Sequence, residues 1–387
     1  MTPYSEKRFC WLDWFRFLAA FEVMAFHVRG HLWVHYAQLQ ADGRNWLAWI
    51  FFAGTHCGGE AVTLFFVLSG FLVGGKVLER SLAGSFDLKA YAMDRVSRIY
   101  VPLIPVLVFS GIAGYLLGGQ PVSLSTGLGN LAGLQSVCVH AYGGNLPLWS
   151  LAYEIWFYVL GGFVAVLLCG RGPAKTISLF GIMFVLVLFT RLQPWLLFCW
   201  IIGACGYLLV LAEDITPLFS LTGAVLAISG LIYSQYISAH PRSFGNFLSS
   251  GHVAEMIFSL GMAVVFAFVS KRVPHSKPML RFERAGGKLA AFSYTLYLTH
   301  FPVVSLWSKF GPEKFAALSV HAFLWFIAEC VACLLFAFVF YLPFEAQTAR
   351  VRALLKRSAP GHNRAVKREE QLVRGPATAA DLAQGEK

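Results

Sequence analysis

Long uncharged stretches dominate the chain. No Asp, Glu, Lys or Arg occurs between Ile99 and Tyr153, and further uncharged runs cover residues 192–212, 215–241 and 289–308. A helix needs about 20 apolar residues to cross a bilayer core, so these runs read as membrane spans. Along the whole chain the pattern predicts an all-α, polytopic membrane helix bundle of about ten transmembrane helices. They fall near residues 11–29, 60–78, 99–118, 148–169, 176–191, 195–212, 217–236, 253–270, 289–308 and 320–342. The aromatic stretch 45–54 is too short to cross and reads as interfacial. After Pro343 the chain turns polar and basic, then Ala/Gly-rich, which predicts a membrane domain over 1–345 and a disordered cytoplasmic tail over 346–387.

Composition agrees with the pattern: 57% of the 387 residues are hydrophobic and 13% charged, about half the charge of a soluble protein. Secreted, collagenous and disordered classes drop out. The formal charge of +11 would suggest nucleic acid in a soluble chain. Here the basic residues lie between spans and report topology instead, because Lys and Arg are retained on the cytoplasmic side. With both termini cytoplasmic, 24 of the 31 basic residues fall inside: two before the first span, five over 76–98, two over 171–175, six over 271–288 and nine in the tail. The acidic loop at Glu213 fits this assignment least well. The first span, carrying Asp13, Arg16 and Glu22 and no small-residue cleavage site, reads as a retained helix and not as a signal peptide.

Most of the eight Cys sit in or beside spans as small apolar residues. Cys330 and Cys333 have C-x-x-C spacing but no second ligand pair, so packing is favoured over metal. Cys57 and Cys138 both fall on the expected outer face, where a disulfide between them is conceivable. His27, His31 and His35 recur every four residues; without a nearby carboxylate or Cys in that run, no metal is assigned.

Ionisable side chains inside spans carry more information, since each must find a partner or a function. Arg16 and His27, eleven residues apart, share one helix face about 16 Å apart. Asp13, one turn before Arg16, is its expected salt-bridge partner. Glu154 enters the fourth span one turn after Ser150, and His300 lies within the ninth. His27, Glu154 and His300 thus fall in the middle or outer half, where their convergence would suit acid/base chemistry. Structural readings stand beside this one: Arg16 with Asp13 as a staple, Glu154 bonded to backbone, and either histidine as a packed core residue. On the inner face, residues 86–102 alternate apolar and basic positions as a surface-lying amphipathic helix would. Arg95 and Arg98, one turn apart, suit phosphate binding by forked hydrogen bonds, or equally headgroup anchoring.

These segments together resemble the acyltransferase 3 family of integral-membrane O-acyltransferases, over roughly residues 9–345. The pieces are Leu12-Asp-Trp-Phe-Arg16 with ten residues to His27, Phe65-Phe-Val-Leu-Ser-Gly-Phe-Leu72, Arg95-Val-Ser-Arg98, Leu148-Trp-Ser-Leu-Ala-Tyr-Glu154 and Ser293-Tyr-Thr-Leu-Tyr-Leu-Thr-His300. Each is weak alone, and the five in this order are specific. The resemblance implies acyl-CoA, taken as acetyl-CoA, as a donor substrate entering from the cytoplasm, with no resident cofactor. It implies a hydroxyl of a cell-surface carbohydrate or glycolipid as acceptor, and the inner membrane of a bacterium as location. Residue by residue it gives His27 as general base, Arg16 as its essential partner, Glu154 and His300 as further catalytic positions, and Arg95, Arg98, Ser69 and Gly70 as the donor-binding set.

Three departures accompany the resemblance. Glu22 stands where the family is usually apolar, and by helical angle it points away from the Arg16–His27 face. The spacing from Arg98 to Pro102 leaves the start of the third span open. The tail is too short for the extracytoplasmic hydrolase-like domain of some members. No Gly-x-Ser-x-Gly elbow occurs, so direct transfer is preferred to a Ser-enzyme intermediate, with an acyl-histidine as the other route. The competing class is a proton-coupled transporter or flippase of a glycan or lipid. Against it stand the absence of a visible inverted repeat and the gathering of polar groups at one level.

Overall fold

The computed structural model describes residues 10–118, 122–211, 215–239, 251–272 and 276–357. Among these the regular structure is helical. Helix α1 (Cys10–Leu32) is followed by the short α2 (Trp46–Gly54). Next comes α3 (Gly58–Ser69), which passes through a π-helical turn (Gly70–Gly74) into α4 (Gly75–Leu82). Then follow α5 (Leu88–Leu116), α6 (Leu124–Leu131), α7 (Trp149–Cys169), α8 (Pro173–Phe189), α9 (Pro194–Leu211), α10 (Pro217–Ala239) and α11 (Gly251–Ser270). The chain continues with α12 (Lys277–Ala290), α13 (Ser293–Trp307), α14 (Val320–Tyr341) and α15 (Thr348–Arg357). Polar side chains mark several starts: Asn45, Asp87, Ser276 and Ser319 each accept from the backbone N–H three residues on, satisfying a donor that the first turn leaves unpaired.

Among the described residues seven helical stretches are long and apolar enough to cross a membrane, eight if the bent pair α12 and α13 is one span. The expected number of about ten is corrected accordingly. Helix α1 carries Asp13, Arg16, Glu22 and Arg29, and α8 has only 17 residues, which is why charge and length exclude them. The 48° bend between α12 and α13 has a plain origin. Lys277, Arg281, Arg284 and Lys288 keep α12 polar on one side, whereas α13 is uncharged and buried.

Two further expectations change. Residues 86–102 are not a separate surface helix: α5 runs without interruption through Pro102 and Pro105, so the basic segment forms the first turns of a spanning helix. Residues 346–357 are not the start of a disordered tail but an ordered 3-10 turn and helix α15 against α5, with Arg352 bonded to Asp94. Residues 358–387, like the acidic pair at 213–214, lie outside the described residues.

Helix α1 runs through the middle of the bundle, touching α3, α11, α12, α13 and α14. One buried cluster joins α3, α5, α7, α8 and α9, with Phe157 stacked between Phe189 and Trp200. A second joins α1, α2, α13 and α14, and a third α3, α9, α10 and α11. The α3–α9 crossing depends on two glycines. A Cβ on Gly70 would fall 1.9 Å from the Trp200 carbonyl oxygen, and one on Gly203 would fall 2.1 Å from that of Val67. Small residues let the two backbones touch, the usual way for membrane helices to gain contact where lipid offers no hydrophobic contrast.

Candidate functional site

One cavity of about 900 Å³ opens among α1, α3, α4, α5, α7, α12, α13 and α15. Arg16, Ser69, Arg95, Arg98 and Glu154, expected from the sequence as parts of one site, all line it. Arg16 is bonded to Asp13 at 3.2 Å, as their spacing predicts. Ser69 stands just before the π-helical turn and its hydroxyl accepts from Trp200 Nε1 at 3.3 Å, which fixes it in the wall. Arg95 is bonded to Asp94 and lies over the Tyr158 ring, and Arg98 lies over the Tyr294 ring. With Glu345 paired to Arg98 at 2.8 Å, both guanidinium groups are held by a carboxylate and a flat aromatic surface, an arrangement that suits the planar fork of arginine.

Glu154 does not meet the histidines. Tyr158, one turn on along α7, donates to Glu154 Oε1 at 2.6 Å, and the carboxylate belongs to the arginine-lined cavity. Gly70 does not line that cavity either: it faces α9, and its role is the close crossing described above.

His27 and His300 are brought together. Their ring centroids are 5.3 Å apart, between α1 and α13. His300 is fully buried, and its Nδ1 lies 3.0 Å from the Leu296 carbonyl oxygen. A carbonyl can only accept, so Nδ1 carries the proton and Nε2 presents a lone pair. Among the described residues that Nε2 has no hydrogen-bond partner. Phe26 and Phe301 stand edge-on to His27. Neither histidine lines the cavity; Tyr297, which does, stacks edge-on against Phe65 at 5.5 Å and lies 5.9 Å from the His300 ring. Tyr297 and Ser150 share a 2.6 Å hydrogen bond there.

Two side chains essential to this geometry escaped the sequence reading. Glu345 accepts from Arg98 with one oxygen and from the backbone N–H and hydroxyl of Thr295 with the other, so it joins α5 to the first turn of α13. Asn145 donates to the Leu298 carbonyl oxygen at 2.9 Å and to the Ser110 hydroxyl. Pro302 is the cause: lacking an N–H, it leaves the carbonyl four residues earlier without its helical donor, and Asn145 supplies one. The signal for Asn145 was legible in that proline. For Glu345 none was.

The remaining polar candidates have structural partners. His31 faces both oxygens of the fully buried Glu329, at 3.1 Å each, tying α1 to α14, while His35 lies beyond the end of α1. Glu22 accepts from the Cys57 N–H at 3.1 Å and so satisfies the start of α3. Cys57 and Cys138 are free thiols, correcting the conceivable bridge: Cys57 Sγ sits against the Ala53 carbonyl, and Cys138 is exposed in the loop before α7. Cys330 and Cys333 are buried in α14, and among the described residues no group of three or more His, Cys, Asp or Glu is arranged for a metal.

A family model described as an acyltransferase domain matches residues 10–342. No curated protein and no solved structure matches the chain.

Proposed function

The chain belongs to the acyltransferase 3 family and is a multi-pass membrane enzyme that transfers acyl groups; we propose that its donor is acyl-CoA, in the first place acetyl-CoA, and its acceptor a hydroxyl of a cell-surface carbohydrate or glycolipid. The observation that carries this reading is a cavity lined by seven basic side chains that also reaches Tyr297, whose ring lies 5.9 Å from that of His300 in the His27–His300 pair. A CoA thioester has a polyanionic head and a long neutral arm with the reactive carbon at its far end. A basic entrance leading to a buried acid/base pair matches that shape.

In this account the basic end is cytoplasmic, both termini lie inside, and the membrane is the inner membrane of a bacterium. Arg95 and Arg98 hold phosphate oxygens. Two buried polar atoms in the wall, Arg95 Nε and the Tyr294 hydroxyl, have no partner among the described residues and would gain one from a bound donor. The pantetheine arm runs along Ser69 and Glu154, and the thioester reaches the Phe65–Tyr297 contact, whose rings must part for it to meet His27. His27 takes the proton of the acceptor hydroxyl as that oxygen attacks the thioester carbon. The carbon–sulfur bond breaks, and the proton passes to the departing thiolate. His300, with its lone pair fixed by the Leu296 contact, orients His27 or shares its proton, and Arg16 keeps the channel polar.

Deletion of the gene in its host tests the assignment. Surface polysaccharide from the deletion strain should lose the mass of one acetyl group per modified residue, and a plasmid copy should restore it. An unchanged polysaccharide and glycolipid mass profile would contradict the assignment.

A further inference from the structure

The cavity wall is completed by residues that lie beyond the matched domain, which ends at 342. Helix α15 packs along α5, and Arg352 and Lys356, four residues apart and so on one face, both line the cavity. From α4 come Lys76 and Arg80. Seven Lys and Arg side chains line the cavity against three carboxylates. The inner arginines are paired: Arg16 with Asp13, Arg98 with Glu345, and Arg95 with Asp94, whose other oxygen Arg352 shares. The surplus of positive charge therefore lies at the rim. There Arg80 and Lys356 are exposed, and the Arg352 side chain is 39% exposed against 22% for Arg95.

We infer that Arg352 and Lys356 form a phosphate-monoester subsite that binds the ribose 3′-phosphate of the acyl-CoA donor, outside the part of the site served by Arg95 and Arg98. The inference rests on the donor reading above. A phosphate monoester carries about −1.5 to −2 charges near neutral pH, more than either phosphate of the pyrophosphate link, and so seeks the most cationic and most hydrated part of the wall. Arg352 is already held by Asp94, so its fork is ordered before the donor arrives, and less freedom is lost on binding. Lys356 adds a mobile point charge one turn further along. In this arrangement the C-terminal helix is part of the enzyme's selectivity: it distinguishes a full CoA thioester from one lacking the terminal phosphate.

The test uses the full-length protein in nanodiscs of zwitterionic lipid, with acetyl-CoA and acetyl-dephospho-CoA as donors. Binding of CoA and dephospho-CoA is measured in parallel by calorimetry. Wild type should favour the full donor about ten-fold in KM and Kd. The double variant Arg352→Gln, Lys356→Gln should raise KM for acetyl-CoA about ten-fold, leave kcat within about two-fold and abolish the preference. Lys356→Gln alone changes only an exposed side chain, so folding is safe; it should move both constants in the same direction by about three-fold. Equal losses for both donors, or no loss, would overturn the inference. So would a KM that responds to added phosphatidylglycerol but not to the 3′-phosphate, because the basic rim would then serve lipid headgroups. Preference in calorimetry that the double variant abolishes, without turnover of either donor, would instead leave the subsite standing and overturn the reaction.

Discussion

The Glu345 carboxylate accepts a hydrogen bond from Arg98 Nη1 at 2.8 Å, joining residues 247 positions apart. Glu345 is buried, and its second oxygen closes the first turn of α13 through Thr295. A paired charge of this kind is costly to break, because the Arg98 side chain, only 33% exposed, stays behind without that carboxylate.

Glu345→Ala is therefore expected to destabilise the protein by about 3 kcal/mol, the cost of an uncompensated charge with loss of a helix cap. Thermal unfolding of the detergent-solubilised variant measures this. Glu345→Gln can still accept from Thr295, so it should fall between wild type and Glu345→Ala; equal midpoints for all three would refute the role.

The reason Glu345 was invisible in the sequence is instructive. It stands where the pattern turns from apolar to polar and basic, and a lone carboxylate there looks solvated. Its partner's position is set by helix packing, which no local spacing encodes. By contrast the Asp13–Arg16 pair is a one-turn relationship and was legible at once. Hydrophobic runs located the long helices to within a few residues, except for the start of α5, which lies eleven residues before the expected 99. They misjudged residues 86–102, whose alternating apolar and basic positions suggested a separate surface helix, because α5 continues through Pro102 and Pro105 with hydrogen bonds locally given up. Of the residues the motifs single out, Arg16, Ser69, Arg95, Arg98 and Glu154 line one cavity, whereas depth along the spans had grouped Glu154 with the histidines. Depth along a helix can be counted from sequence, but which side faces which neighbour cannot.

Asn145 supports α13 at the carbonyl that Pro302 leaves unpaired. Asn145→Leu would bury that carbonyl without a donor, at a cost of about 2 kcal/mol. Since Leu298 is two residues from His300, kcat should fall while KM for acyl-CoA stays near wild type. Steady-state kinetics with varied acyl-CoA separate these; a rise in KM alone would place Asn145 in donor binding instead.

The Gly70 contact with Trp200 leaves no room for a side chain. Gly70→Ala should cost about 3 kcal/mol or prevent folding, because the obstacle is backbone and cannot rotate away. Gly59→Ala serves as the control, with open space around the added methyl. If the two variants unfold at the same temperature, the close crossing of α3 and α9 is not what holds that interface.

The histidines and the arginines occupy different parts of the path, so their variants should differ in kind. Arg98→Gln is expected to raise KM for acyl-CoA about ten-fold or more, whereas His300→Gln should lower kcat by about 10²-fold or more with KM little changed. The opposite pattern would exchange their roles.

The central claim is acyl transfer at the His27–His300 pair. It is tested most directly with purified protein, acetyl-CoA labelled in the acetyl group and an extract of surface glycans, comparing wild type with His27→Ala. Wild type should move label from CoA to glycan, and His27→Ala should lose at least about 10²-fold of that rate while still binding CoA. Label that never leaves CoA with wild type, or a His27→Ala variant that labels glycan at the wild-type rate, would contradict the account.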